Sequence, residues 1–183
     1  MCAMIQRPFG LEYALLGFLE QEPQHGYQLH QRISDLSQLG LIWRVKQSQL
    51  YALLVKLEKS GYISCSLSSQ ETHPPRKIFI LTEKGRIAYH EWLTSPVTRP
   101  RQIRQEFIAK LYFSLREGKA GVISLIEQQR KTCLEWLKKM EQVSQTDGEN
   151  HLFSTIVYQY RSGQVKAIIK WLDNITADIV TKI

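Results

Sequence analysis

The chain has 183 residues, 43% of them hydrophobic and only 16 of them Gly or Pro, which suits one or two small domains with a buried core and excludes disordered, collagen-like and low-complexity classes. Lys and Arg number 24 against 17 Asp and Glu, for a net charge of +7. The longest apolar stretches, such as residues 13–19, fall far short of the roughly 20 residues that span a bilayer, and the start MCAMIQRP lacks a basic-then-apolar leader layout, so a cytoplasmic protein with no membrane partner is expected.

Residues 9–20 read as a helix, with Leu11, Leu15 and Phe18 at helical spacing and Glu22-Pro23 ending it. A second helix is expected over 26–36, with Tyr27, Leu29, Ile33 and Leu36 apolar, and 37–41 as a short connection. A third spans 46–60: Leu50, Leu53, Leu54 and Leu57 make one face, and Gly61 stands where a left-handed C-terminal cap belongs. The period then changes. Ile63, Cys65 and Leu67 alternate with serines, which marks a half-buried strand. Residues 69–76, polar and holding Pro74-Pro75, read as a loop, and 77–81 as a second strand. Three helices followed by a β-hairpin is the winged helix-turn-helix arrangement. Thr82 is placed to cap a helix over 83–94 that carries Ile87 and Trp92.

The two prolines in 95–100 mark the best boundary in the chain. Beyond it everything reads helical: 101–117 with Ile103, Phe107, Leu111 and Leu115; 119–143 with Val122, Ile126, Cys133, Leu137 and Met140; a polar break at 145–150; and a last helix over 151–183. That helix carries Phe153, Ile156, Tyr160, Ile168, Trp171, Ile175 and Ile179, and Gly163 leaves open whether it runs straight or kinks. The expected class is therefore α+β, mostly helical. Residues 1–95 form a winged-helix DNA-binding domain and 96–183 a helical dimerisation domain. One such helical half is too small to hide two apolar stripes within itself, so Phe153, Ile156, Tyr160, Ile168, Trp171 and Ile175 are the candidate homodimer interface.

Residues 1–95 hold 10 basic and 8 acidic residues, so most of the excess charge lies elsewhere. Within 44–86, however, eight cations face only Glu58, Glu71 and Glu83, on the third helix and the hairpin that would meet a duplex. The third helix opens Lys46-Gln47-Ser48-Gln49. Gln can pair bidentately with adenine, Ser with base or phosphate, and Lys with guanine or phosphate. Tyr51 can reach a phosphate, with core packing as its other role. Lys56 is a further phosphate candidate, and Arg76 and Lys77 put two cations beside the prolines of the wing. Cys2, Cys65 and Cys133, odd in number and widely spaced, suggest inert thiols in a reducing compartment. No HExxH, GxSxG, Walker loop or GxGxxG occurs, so neither an enzyme nor a metal or other cofactor is expected.

Taken together, LEYALLGFL (11–19), His25-Gly26-Tyr27 with Leu29, QSQLYALLVKLEKSG (47–61) and RKIFILTEKG (76–85) resemble the PadR family of winged-helix transcriptional regulators. The likeness covers about residues 9–90. Where that family often has Pro after the recognition-helix Tyr, this chain has Ala52. The helical tail resembles the longer family branch, whose C-terminal domain looks like that of virulence activators, through its helix order and Trp171-Leu172. The resemblance implies a homodimer on operator DNA, commonly a repressor, and some members answer to a small aromatic or drug-like molecule. Trp43, Trp92, Trp136 and Trp171 are candidates for an aromatic pocket, or else for core and interface packing. The rival reading is a winged helix used for protein–protein contact with no specific DNA site, which duplex binding that falls steeply with salt yet keeps a sequence-specific excess would exclude.

Overall fold

The computed structural model describes the backbone of residues 10–70, 73–146 and 152–182, and their side chains except at 68–70, 73–76 and 143–146. Cys2, Phe9, positions 147–151 of the expected polar break and helix start, and Ile183 lie outside the described residues. The chain divides into two compact units. The first takes the described residues up to Thr94 together with Arg104–Phe113, and the second takes Ser95–Ile103 with the residues from Ser114 onward.

The first unit is a winged helix. In chain order it holds α1 (Gly10–Gln21), β1 (Gln24–His25), α2 (Gly26–Ser34), a 3-10 turn (Leu39–Leu41), α3 (Gln47–Lys59), β2 (Ile63–Gln70), β3 (His73–Leu81) and α4 (Glu83–Thr94). Its core gathers Leu15 and Phe18 of α1, Leu29 and Ile33 of α2, Leu50, Leu54 and Leu57 of α3, and Tyr89 and Trp92 of α4. Each such side chain contributes roughly 1.5–3 kcal/mol by leaving water. α2 ends at Ser34, earlier than its apolar spacing predicts. Asp35 turns extended, and its carboxylate accepts the Ser37 N–H at 2.9 Å, so Leu36 falls outside the helix and is exposed. α3 ends as its sequence predicts. Gly61 has φ +74°, its N–H donates to the Glu58 carbonyl at 2.9 Å, and the Tyr62 N–H donates to that of Leu57 at 3.0 Å. Thr82 caps α4, its hydroxyl accepting the Gly85 N–H at 3.1 Å.

The wing departs from expectation. The loop predicted over 69–76 is largely strand: β2 reaches Gln70, and β3 begins at His73 and includes Pro74 and Pro75. The register jumps from Ser68↔Arg76 to Gln70↔His73, so β3 carries one extra residue where its prolines stand. A bulge tolerates residues that donate no ladder hydrogen bond, which is how two prolines fit a strand. β3 is also the central strand of the order β1-β3-β2, but β1 pairs only with Ile78 and Phe79, well away from the prolines. The two-residue β1 has no period of its own and is invisible in the sequence.

The stretch read as one helix over 101–117 is a 3-10 segment (Pro100–Arg104) followed by α5 (Glu106–Glu117). Ala109 and Phe113 of α5 belong to the winged-helix core. In the second unit α6 (Lys119–Thr146) packs along α7 (Leu152–Lys182), with Arg130 Nε 2.7 Å from Asp173 Oδ1 and Lys119 Nζ donating to the Val180 carbonyl at 2.9 Å. α6 runs past the expected end at 143, and α7 passes through Gly163 as a single helix. Buried Gln129 of α6 accepts the Val97 N–H at 2.7 Å and donates to the Val97 carbonyl at 3.3 Å, which anchors the proline-bearing segment to this unit.

Two charged groups sit inside the first unit. Glu12 of α1 is buried and meets Lys56 Nζ of α3 at 2.8 Å. Lys110 of α5 is buried with Nζ 5.2 Å from the centre of the Trp92 ring. Burial lowers its pKa to about 8, against a smaller opposing pull from Glu106. Lys56→Met should strand the Glu12 carboxylate and cost about 2 kcal/mol, short of a fully buried pair because Lys56 is partly solvated, and Glu12→Gln added to it should restore most of the loss. Urea midpoints of the two variants check this. Between pH 8 and pH 10 the unfolded chain still binds the Lys110 proton while the folded chain releases it, so stability should rise with pH across that window. Lys110→Met should flatten the rise, measurable by thermal melts at pH 7.5 and 9.5.

Candidate nucleic-acid interface

The first turn of α3 is built to stand free. Leu50, Leu54 and Leu57 are buried, whereas Lys46, Gln47, Ser48 and Gln49 are all exposed. Lys46 is extended (φ −72°, ψ 147°), and its N–H donates to Gln49 Oε1 at 3.0 Å, closing the turn from its own side chains. His30 of α2 donates from Nε2 to the Val45 carbonyl at 2.9 Å and so holds the lead-in to α3. The helix therefore presents a polar, positively polarised N-terminus. Gln47 and Ser48 keep their side chains clear, and Gln49 shares its oxygen with the cap.

The other expected contacts divide. Tyr51, about 40% exposed, lies across the start of α2: a Cβ on Gly26 would come within 2.8–2.9 Å of its ring carbons and hydroxyl. Only glycine at 26 admits that ring. Lys56 is drawn away by Glu12, on the side of α3 that packs on α1. Lys77 is exposed on β3, and Arg76 pairs its backbone with Ser68 in the hairpin while its side chain lies outside the described residues.

A pocket of about 320 Å³ opens between these elements, lined by His25, Gly26, Tyr27, Tyr51, Lys77 and Phe79. The His25 ring sits 3.0 Å from the Lys77 carbonyl through Nδ1, and because a carbonyl only accepts, the proton is on Nδ1. The same ring stacks on Tyr27 with centroids 5.8 Å apart. The sequence marks His25-Gly26-Tyr27 as a pattern and counts Tyr27 on the apolar face of the helix, whereas Tyr27 is exposed at the pocket and His25 carries no sequence-level role. The signal available was a glycine opening a helix, a place where propensity argues against it.

On α7 the intramolecular seam is formed by Ser162, Val165 and Leu172, which are buried. Phe153, Ile156 and Tyr160 are exposed by 77%, 52% and 65%, and Ile168, Trp171 and Ile175 are half-buried. Trp92 stacks on Tyr13 at 5.2 Å and Trp43 packs on the winged-helix core, both in the first unit, while Trp136 and Trp171 belong to the second unit. Cys65 donates to Glu58 Oε1 at 2.8 Å, which raises its thiol pKa, and burial raises that of Cys133. Among the described residues no cluster of His, Cys, Asp or Glu could hold a metal ion, and no helix is long and apolar enough to cross a membrane.

Comparison with known proteins accounts for both units. Residues 15–91 match the transcriptional regulator PadR-like family, and residues 103–179 match the virulence activator alpha C-terminal family. The chain is 28% identical over 178 residues to the negative transcriptional regulator PadR of Bacillus subtilis, covering 92% of this chain and 97% of that one. Similar solved structures include Bacillus subtilis PadR in complex with operator DNA (26% identity, 92% and 98% of the two chains, TM-score 0.46) and with p-coumaric acid (25%, 93% and 99%, TM-score 0.42). The chain thus carries a domain of the transcriptional regulator PadR-like family followed by a virulence activator alpha C-terminal domain, in a chain homologous along its length to the Bacillus subtilis regulator.

Proposed function

We propose that the protein is a cytoplasmic, sequence-specific repressor that binds a palindromic operator as a homodimer. The observation that carries this reading is the first turn of α3, where Lys46, Gln47, Ser48 and Gln49 are exposed above three buried leucines. In a helix-turn-helix that turn meets base edges in the major groove. Gln47, Ser48 and Gln49 read bases or phosphates, Lys46, Tyr51, Arg76 and Lys77 neutralise or bond the backbone, and Lys56, paired with Glu12, supports α3 from behind. Negative regulation is the role named for the Bacillus subtilis relative. A small aromatic effector is the further partner the family implies.

Dimerisation rests on α7. Its seam with α6 uses Val165 and Leu172 and leaves Phe153, Ile156 and Tyr160 bare, a stripe that a second copy would cover, with Ile168, Trp171 and Ile175 continuing it. Two-fold symmetry would then set two α3 helices about one DNA turn apart, roughly 34–36 Å, or a multiple of that spacing.

Selection of bound sequences from a random duplex pool tests the function directly. Gln47→Ala with Gln49→Ala should relax the selected preference by roughly 1–3 kcal/mol per lost bidentate pair while leaving binding to scrambled duplex nearly unchanged. A double variant that discriminates as well as the parent would remove these residues from base reading. Sedimentation should give a dimer for the full-length chain. Ile156→Asp with Tyr160→Asp, on exposed positions that the folded chain tolerates, should give monomers with much weaker operator binding.

A further inference from the structure

We propose that the pocket lined by His25, Gly26, Tyr27, Tyr51, Lys77 and Phe79 is the seat of one DNA backbone phosphate and its sugar, and that it sets the register of α3 on the duplex. The inference rests on the DNA-binding reading above and adds to it a site formed by α2, α3 and the wing together.

The lining defines the class of ligand. The lining residues carry one ammonium (Lys77), two phenols (Tyr27 and Tyr51) and an imidazole (His25), with no carboxylate among them, so the pocket suits an anion better than a metal ion. The walls are aromatic and the opening is wide enough, at about 320 Å³, for more than the phosphate alone. Phe79 and the stacked His25–Tyr27 pair can take the apolar edge of a sugar while the hydroxyls and Lys77 take the oxygens. Position selects DNA as the source of that phosphate. Tyr51 stands four residues after Gln47 and three after Ser48, so the three share one face of α3. An anion bound at the Tyr51 hydroxyl is therefore next to the residues assigned to base reading.

The pocket is held rigidly. The absence of a side chain at Gly26 lets the Tyr51 ring and hydroxyl close over the start of α2. The His25 backbone N–H is taken by Gln28 Oε1 at 2.8 Å, its ring by the Lys77 carbonyl at 3.0 Å, and its backbone pairs with Ile78. A single phosphate in this seat would fix α2, α3 and the wing against the duplex at once. Base contacts specify only when the backbone contacts have set their register.

The test uses the full-length protein and a duplex that it selects from a random pool. Tyr27→Phe and Tyr51→Phe keep both rings and remove only the hydroxyls. Each should weaken binding about 10- to 150-fold for selected and scrambled duplexes alike, the loss of one hydrogen bond to a charged oxygen. Lys77→Gln should lower the slope of log affinity against log salt by about one. Single methylphosphonate substitutions should locate one phosphate per half-site whose neutralisation weakens the parent more than it weakens the Tyr27→Phe/Tyr51→Phe double variant, which keeps Lys77. Inorganic phosphate, titrated at constant ionic strength, should not displace the duplex; displacement at millimolar phosphate would make this a free-phosphate site and overturn the proposal. Tyrosine and lysine variants that bind as the parent does, with an unchanged salt slope, would overturn the seat and leave the DNA-binding reading standing. A parent chain that selects no sequence from the pool would overturn that reading, and the seat with it.

Discussion

Leu50, Leu54 and Leu57 bury one face of α3, and what the protein can offer a partner follows from what that burial leaves outside. A helix of 13 residues is marginal alone in water, so α3 holds its shape because its apolar stripe is anchored in the winged-helix core, against α2 and β2. The anchor points sit at one azimuth. Lys46, Gln47, Ser48 and Gln49 precede the first of these anchor points at the N-terminal end of the helix, and all four are exposed. Lys56 and Glu12 add a charged contact on the buried side, and Tyr51 over Gly26 adds an aromatic one toward α2. The helix is thus fixed about its own axis from two directions, which is what a surface meant to present Gln47 and Ser48 requires.

The same economy explains the wing. A hairpin that projects from a small domain has little to pack on, and β3 gains support at its base from the short β1 ladder and from His25. Further out, the bulge opposite Gln70 accommodates Pro74-Pro75, which stiffen the strand where no third strand flanks it. Stiffness there carries Arg76 and Lys77 along one rigid ribbon, and the ribbon is joined to α2 through the imidazole of His25.

α5 is shared between functions of the fold. Its residues through Phe113 complete the winged-helix core, so residues that follow the proline-bearing stretch in sequence are part of the first unit's stability. Burial of Lys110 beside Trp92 makes that stability sensitive to pH on the alkaline side. In the second unit, α6 and α7 cover one another along a single seam, and the apolar residues of α7 that lie off that seam are left for something else to cover.

Period, caps and breakers are local, and they were legible: the three helices and hairpin of the winged helix, the Gly61 cap, the Thr82 cap and the exposed Gln47–Gln49 turn all follow from residues within a few positions of one another. Charge spacing placed Lys77 and Arg76 on the wing, and the motif run pointed to the PadR-like domain that residues 15–91 match. What depended on distant partners was not legible. Nothing near Lys56 in the sequence tells that Glu12 will claim its ammonium, because the two are 44 positions apart and meet only when α1 packs on α3. The extent of β2 and β3 was hidden by prolines that a bulge absorbs, and β1 exists only because Ile78 and Phe79 offer it a ladder. The stripe on α7 could be seen in the sequence, but which of its residues face α6 was decided by packing, which gave that seam to Val165 and Leu172. The pocket beside α3 needed Gly26, Tyr51 and Lys77 brought together from three elements. Local sequence determines what an element is and how it begins and ends; only tertiary packing decides which side chains are used up in the core and which remain free, because burial is a property of the neighbours and not of the residue.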